Sequence, residues 1–574
     1  MVSGYKRLIR GVAALAAAFM MVPHADAAGG TMRYAAVSEP APLDVMLTTA
    51  GVSLVIGMHI FEALYTLDSH FEPQPMLAEG EKVEDGGKTL IITLRQGVHF
   101  HNGKEMTSDD VVASLNRWAK YGVRGKLLFV EGATVEASGK YEITIKLPQP
   151  NGAWKNLLGH LEGGPAIYPA EIANAATDKP IEQKDYIGTG PYVFKEWQPN
   201  RFIEVDRFDG YNARSNPGDG YAGKREAIFD AIKFIPVPDV GTRVSGVQAG
   251  DYDYAETISG DLYDQLSADK SVAIRMSGAP LFGLFFTNSK QGILKDNYKL
   301  RQAIQLAFCR DDALRVSFGP KALWDAQGSI FPKSNFWYSE AGIDQYNKCD
   351  PEAAKALAKE AGYDGTPIRL LTSTNYQTHY DQATVFVKNM AAAGINVQMI
   401  VVDWATLLKM RGQPEQWDIF ITHHGGPPDP ILLTFLNPGY PGWWTSPEIT
   451  DLRAQFTSVA DINERKAVWD KIQKLYYEQV PAIKVGDAYS YDIMSPKLQG
   501  IGPQIFWPTF WNASFRLFWP AVRASCEGCP DHPSYPRSCS PPDDCECGPM
   551  HSSAPERRSS PWWPPRSSSS PSST

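Results

Sequence analysis

Cysteine is almost missing from the first 520 residues of this 574-residue chain, where only Cys309 and Cys349 occur. Two cysteines so far apart carry no spacing signal. They can pair in an oxidising compartment or remain as two buried thiols, and the sequence leaves both open. A surplus of basic residues is missing too. The formal net charge is −9, and an acidic surface argues against a nucleic-acid partner, whose phosphates need a basic footprint. After residue 27 no apolar run is long enough to span a bilayer, which takes roughly 20 residues. Catalytic signatures are also missing: there is no G-x-S-x-G elbow, P-loop, H-E-x-x-H or G-x-G-x-x-G. Ser267-Ala-Asp-Lys270 fits the S-x-x-K pattern of serine enzymes that act on cell-wall peptides. Its K-T-G partner is absent, because Lys88-Thr89 is followed by Leu90. A secreted hydrolase is therefore the rival reading from another class, and the expectation is that the chain is not an enzyme and needs no cofactor or metal.

What is present begins at the N-terminus. Lys6, Arg7 and Arg10 precede an apolar run over 11–22, and Ala25-Asp26-Ala27 follows as a small-x-small cleavage site. This order predicts a signal peptide over 1–27, and no cysteine follows it to carry a lipid. Its removal takes away three cations and one anion and leaves −11. At the other end, 520–574 is rich in Pro, Ser and Cys and reads as a disordered or aberrant tail. Cys526, Cys529, Cys539, Cys545 and Cys547 fall there, in no known zinc-finger spacing.

The body between them reads as mixed α/β. Tyr141-Glu-Ile-Thr-Ile-Lys-Leu147 alternates strictly, as a half-buried strand does, and 89–94 is a second strand. Thr107 followed by Ser-Asp-Asp-Val111 starts a helix with a capping residue and an acidic first turn. Asp350-Pro351 starts another, which Gly362 ends. A strand over 395–402 follows a helical segment, as in an α/β layer.

Several blocks in order carry a resemblance. They are Met76-Leu-Ala-Glu-Gly, Leu94-Arg-Gln-Gly-Val-His-Phe-His-Asn-Gly103, Thr107-Ser-Asp-Asp-Val111, Ile187-Gly-Thr-Gly-Pro-Tyr-Val-Phe194, Leu300-Arg-Gln-Ala-Ile304 and Phe510-Trp-Asn512. Together they resemble the bacterial family 5 extracellular solute-binding proteins, the oligopeptide, dipeptide and nickel-binding components of ABC importers. The resemblance spans nearly all of 30–519. It implies an α/β, two-lobed periplasmic-binding-protein fold (type II, large peptide-binding subclass) with a ligand cleft between the lobes. Lobe I is expected over 28–278, including a family-specific extra subdomain, and again over 484–519. Lobe II is expected over 279–483. Hinge crossings are expected at 277–280 and 481–486. The implied role is capture of a peptide or peptide-like solute in the periplasm by a monomer and its delivery to permease subunits in the inner membrane.

By the same resemblance Trp404 packs on the ligand and Arg411 reaches the cleft, where a ring face covers a peptide plane and a guanidinium pairs with a carboxylate. Gly51 and Val52 fall near a first-lobe contact stretch, and Tyr440, Trp443 and Trp444 are further wall candidates. The chain departs from the peptide binders in one respect. They carry an Asp a few residues before the acidic-Pro pair, which here is Asp429-Pro430; the corresponding place holds Gly426, and no carboxylate lies between Asp418 and Asp429. His423 and His424 occupy that neighbourhood and suit a sugar, an opine-like conjugate, a modified peptide or a nickel chelate.

Overall fold

The structure, a computed structural model, describes residues 29–40, 42–501 and 505–516. The expected signal peptide (1–27) and the tail (520–574) lie outside the described residues. Among the described residues no helix is long and apolar enough to cross a membrane.

Alternation and capping act locally as the sequence predicts. The strands Thr89–Leu94 and Glu142–Lys146 pair antiparallel, and Ile143 and Ile145 turn fully inward. They belong to a four-stranded sheet with Ala78–Glu84 and Thr134–Gly139. Helix Ser108–Tyr121 starts where the Asp110 carboxylate accepts the Thr107 backbone N–H at 2.9 Å. In helix Pro351–Glu360 the Asp350 side chain accepts from Ala353 N–H at 2.9 Å.

Two larger sheets organise the rest. The first has seven strands in the order Ala273–Met276, Tyr491–Met494, Tyr254–Ala255, Thr31–Ala36, Ala231–Pro236, Phe202–Arg207 and Tyr192–Gln198. The second has six, in the order Trp324–Asp325, Ala482–Ala488, Leu281–Thr287, Ile419–Gly425, Ile368–Thr372 and Val397–Val401. Both faces of the second sheet are buried. Phe285, Ile419 and Ile421 turn to one core, and Leu284, Phe286 and Phe420 to another. Such strands read as apolar runs rather than alternations.

The chain passes between the two sheets twice, at 277–280 and at 489–490. The passages lie side by side, with Ser277 N–H donating to Ser490 C=O at 2.9 Å. The second falls later than the expected 481–486, which lies at the start of strand Ala482–Ala488. A hinge was expected there on two residues, Pro481 with its fixed φ and the small Gly486. In the fold Gly486 is a packing glycine, since an added Cβ would lie 2.5 Å from Leu314 Cδ1.

Away from the passages the two halves also touch. Asn156 Nδ2 donates to Asp429 Oδ2 at 2.9 Å, and Gly152 N–H donates to Thr457 C=O at 2.7 Å. Cys309 and Cys349, left open by the sequence, form a disulfide with Cα atoms 4.5 Å apart.

Candidate functional site

Three strands of the second sheet run parallel: Ile368–Thr372 pairs with Val397–Val401 on one side and Ile419–Gly425 on the other. In open α/β sheets the crevice beyond the carboxyl ends of such strands is the usual ligand site. Here those ends deliver Asn375 and Tyr376, Trp404, and 423–428 to one edge. Asn375 Oδ1 accepts the Trp404 backbone N–H at 2.9 Å, and Asp403 caps helix Trp404–Met410 by accepting from Thr406 N–H at 3.0 Å. These two bonds fix where the indole starts. Its ring meets Tyr376 edge-on with centroids 4.8 Å apart and 73° between the planes. It meets His379 at 5.5 Å. Tyr376 is 39% exposed, so the cluster presents an open aromatic face.

His379 Nε2 and His423 Nδ1 are 2.8 Å apart, one donating and the other accepting. Burial, and then the charge of His423, push His379 down to about 3. Burial lowers His423 as well. Burial followed by His423 and Arg411 takes His424 to about 4. His59, in helix Gly51–Ile60, goes to about 4, chiefly by burial. Its Nδ1 donates to Val55 C=O at 2.8 Å, and its Nε2 accepts from Phe510 N–H at 3.0 Å. A second ring proton there would face a donor.

These histidines set a pH dependence. The unfolded chain takes up protons below about pH 6.5 while the folded imidazoles stay neutral. Their contribution is therefore fully present above that pH and is lost as pH falls towards 4. The slope reaches up to about 1.4 kcal/mol per pH unit for each such histidine. Denaturation midpoints taken from pH 7 to pH 5 are expected to drop steadily. His59→Gln, which lacks the titrating proton, is expected to flatten part of that slope, and a flat wild-type profile contradicts the assignment.

His424, next along the strand from His423, lines a cavity of about 460 Å³ that opens between the two halves. The second half contributes Leu281, His424, Gly426, Pro427, Pro428 and Thr434; the first contributes Arg124, His160, Glu162, Phe506 and Trp507. Ser277 and Ser490 line it from the passages. Among the described residues its only lining carboxylate, Glu162, is engaged at both oxygens: Oε1 accepts from Arg124 Nη2 at 2.9 Å, and Oε2 lies 3.2 Å from His160 Nε2. Burial pushes the Glu162 carboxyl up, but His160 and Arg124 outweigh it and hold it below its ordinary range. Burial lowers His160, with Arg124 adding to the effect. The described wall residues thus offer mostly apolar surface and a self-neutralised pair, with no free carboxylate among them.

The residues expected from sequence are distributed as follows. Trp404 and His423 join in the aromatic cluster. His424 and Gly426 line the cavity, and His424 Nε2 lies 2.9 Å from Thr434 Oγ1. Arg411 donates to Tyr440 Oη at 3.0 Å and stacks on that ring at 5.2 Å, apart from the cavity wall. Trp443 stacks on Trp417 with centroids 5.7 Å apart. Trp444 is buried and donates Nε1–H to Gln479 Oε1 at 2.8 Å. Trp444 is part of the core of this half, and Trp443 packs half-buried against it. Val52 packs against the first core, and Gly51 lies behind a wall residue, Trp507. Ser267, the hydrolase candidate, is exposed with Lys270, and its hydroxyl donates to the Asp264 carbonyl at 3.0 Å. Neither lines the cavity.

Arg124, His160, Glu162 and Trp507 are wall residues that sequence reasoning missed, as is Tyr376 of the aromatic cluster. The one signal on offer was the aromatic pair Phe506-Trp507, just before the family-like Phe510-Trp511-Asn512.

Comparison with known proteins bears on the family and the fold. The family model described as bacterial extracellular solute-binding proteins, family 5 Middle, matches residues 72–443. A probable peptide ABC transporter periplasmic-binding protein of Sinorhizobium fredii is 27% identical over 88% of this chain and 97% of its own length. Among solved structures, the ABC transporter substrate-binding protein CtaP of Listeria monocytogenes superposes with a TM-score of 0.72 at 19% identity, covering 85% of this chain and 99% of that one. AgaA of A. tumefaciens R10, solved with agropinic acid, gives 0.64 at 23% identity over 85% and 99%.

Proposed function

The chain belongs to the bacterial extracellular solute-binding proteins of family 5, and from that premise we propose that it is the periplasmic binding component of an ABC importer, capturing a peptide or peptide-like solute between its lobes. Lobe I comprises 29–278 and 489–516, and lobe II comprises 279–488. The observation that carries the reading is a cavity of about 460 Å³ lined from both lobes and from both passages. That volume falls in the roughly 300–1,000 Å³ range of small-ligand sites. A ligand that touches both lobes stabilises the closed form by its differential contacts, and a permease can read closed against open. The chain is exported by its N-terminal segment, acts as a monomer, carries its solute unchanged and hands it to membrane permease subunits.

The solute's chemistry follows from the walls. Gly426 stands where peptide binders are expected to carry an Asp for the ligand's ammonium, and Glu162 is already bonded at both oxygens. A free α-ammonium therefore finds no unpaired carboxylate among the described residues of the cavity wall. A solute with a blocked or conjugated amine, such as an N-acyl peptide or an opine-like conjugate, fits better.

A thermal-shift screen tests both levels. It compares free and N-acetylated di- and tripeptides, opine-like conjugates, oligosaccharides and nickel chelates. A ligand at a hundred times its Kd is expected to add about 2.7 kcal/mol to stability. N-blocked members are expected to outrank their free counterparts. A reversed ranking overturns the wall argument while leaving the binding function intact.

A further inference from the structure

Behind the main cavity lies a second space of about 20 Å³, lined by Leu54, Met58, Leu67, Leu161, Tyr221 and Arg225. A space holds a water once it exceeds about 10–15 Å³, so this one is water-sized. His160, Glu162 and Trp507 line both spaces and form the partition between them.

The indole in that partition is held from several directions. Tyr221 Oη accepts the backbone N–H groups of Phe506 at 3.0 Å and Trp507 at 2.8 Å, and donates to Trp507 C=O at 3.0 Å. One hydroxyl thereby uses its full bonding capacity on this turn. On the other side, a Cβ on Gly51 would come within 2.8 Å of Trp507 Nε1, so the missing side chain at Gly51 makes room for the ring. The His160 ring lies nearly parallel to the indole, 26° between planes with centroids 6.5 Å apart.

The floor of the small space offers no free charge. The Arg225 guanidinium donates to Glu62 Oε1 at 3.2 Å and to Tyr221 C=O at 2.8 Å, and lies 4.4 Å over the Trp511 ring. The remaining lining is largely apolar. An apolar pocket thus exists beside the solute chamber, closed off by Trp507 together with His160 and Glu162.

We propose that Trp507 is a specificity-determining residue, whose indole shuts this pocket and keeps bulky apolar side chains of a bound solute out of it. The inference rests on the reading of the main cavity as the solute site. Trp507→Ala takes the indole out of the partition, whereas Gly51→Ala crowds it at Nε1, where the added Cβ lies 2.8 Å away, so the two substitutions are expected to act in opposite directions.

The test measures dissociation constants for Ala-Xaa-Ala tripeptides, N-acetylated and free, with Xaa as Ala, Leu or Trp, on the full chain and both variants. Trp507→Ala is expected to improve binding of the Leu and Trp peptides relative to the Ala peptide by about tenfold. Gly51→Ala is expected to move the same ratio the other way. Trp507→Leu, a milder change, is expected to give an intermediate ratio and serves if the alanine variant does not fold. If peptides bind but the ratios stay the same in every folded variant, Trp507 has no such role, while the solute-binding function stands. If no tripeptide binds the wild type or any variant, the peptide-binding reading falls, and this inference with it.

Discussion

Replacing Arg465 with Ala is expected to lower folding stability by about 3–5 kcal/mol, the cost of leaving a buried charge without its partner. Arg465 is 1% exposed and Asp429 is fully buried. The guanidinium donates from Nη1 to Asp429 Oδ2 at 2.8 Å and from Nη2 to Oδ1 at 3.0 Å. It also lies 4.2 Å over Phe456 and 5.1 Å over Trp337. Asp429 in turn accepts from Ile431 N–H at 3.0 Å and from Asn156 at 2.9 Å. Without the arginine, a carboxylate with no counter-charge is left in an aromatic core. The charge pair also anchors the segment that follows Gly426, Pro427 and Pro428, so the cavity wall depends on it. Replacing both partners by apolar residues, Arg465→Met with Asp429→Leu, is expected to cost markedly less, because no orphan charge remains. Urea denaturation of the single and double variants separates the two cases. Equal losses contradict the account.

Removing the Cys309–Cys349 disulfide is expected to cost about 4 kcal/mol by the loop-closure relation, applied to a sequence separation of 40. The bond joins the residue before helix Arg310–Phe318 to the residue before Asp350, which caps helix Pro351–Glu360. Cutting it frees a loop of the second lobe in the unfolded state while leaving the helices' own caps in place. A denaturation midpoint measured with and without reductant, and on Cys309→Ser with Cys349→Ser, is expected to fall in both cases. A midpoint insensitive to both changes would show that the loop retains its constraint without the bond.

The sequence was most legible where a signal is local. Strand Thr89–Leu94 and the Asp350-Pro351 helix start lie where alternation and capping put them. A crossing at 277–280 was expected from its small and fixed-φ residues, and it lies between strands Ala273–Met276 and Leu281–Thr287. The return was expected at 481–486 from Pro481 and Gly486, whereas the second sheet's strand runs on to Ala488 and Gly486 is pressed against Leu314. The candidate site was legible in part for the same reason. Trp404, His423 and Gly426 stand at the ends of parallel strands, where family blocks and strand order agree. Trp443 and Trp444 carry the same aromatic signal, yet they turn inward onto Trp417 and Gln479. Trp507 is part of the wall through Gly51 and Tyr221, both distant in sequence. No pattern along the chain announces such a meeting.

The central claim is that solute is held in the interlobe cavity, and blocking that cavity tests it most directly. Gly426 lines it, and an added Cβ there meets nothing closer than Pro280 C=O at 3.8 Å. Gly426→Phe should therefore fold and fill the space. With a solute that raises the wild-type melting temperature in hand, the same melt is repeated on this variant. The account predicts an unliganded melting temperature close to wild type and a ligand-induced rise that disappears. An undiminished rise in the blocked protein would contradict it, because the solute would then bind somewhere else.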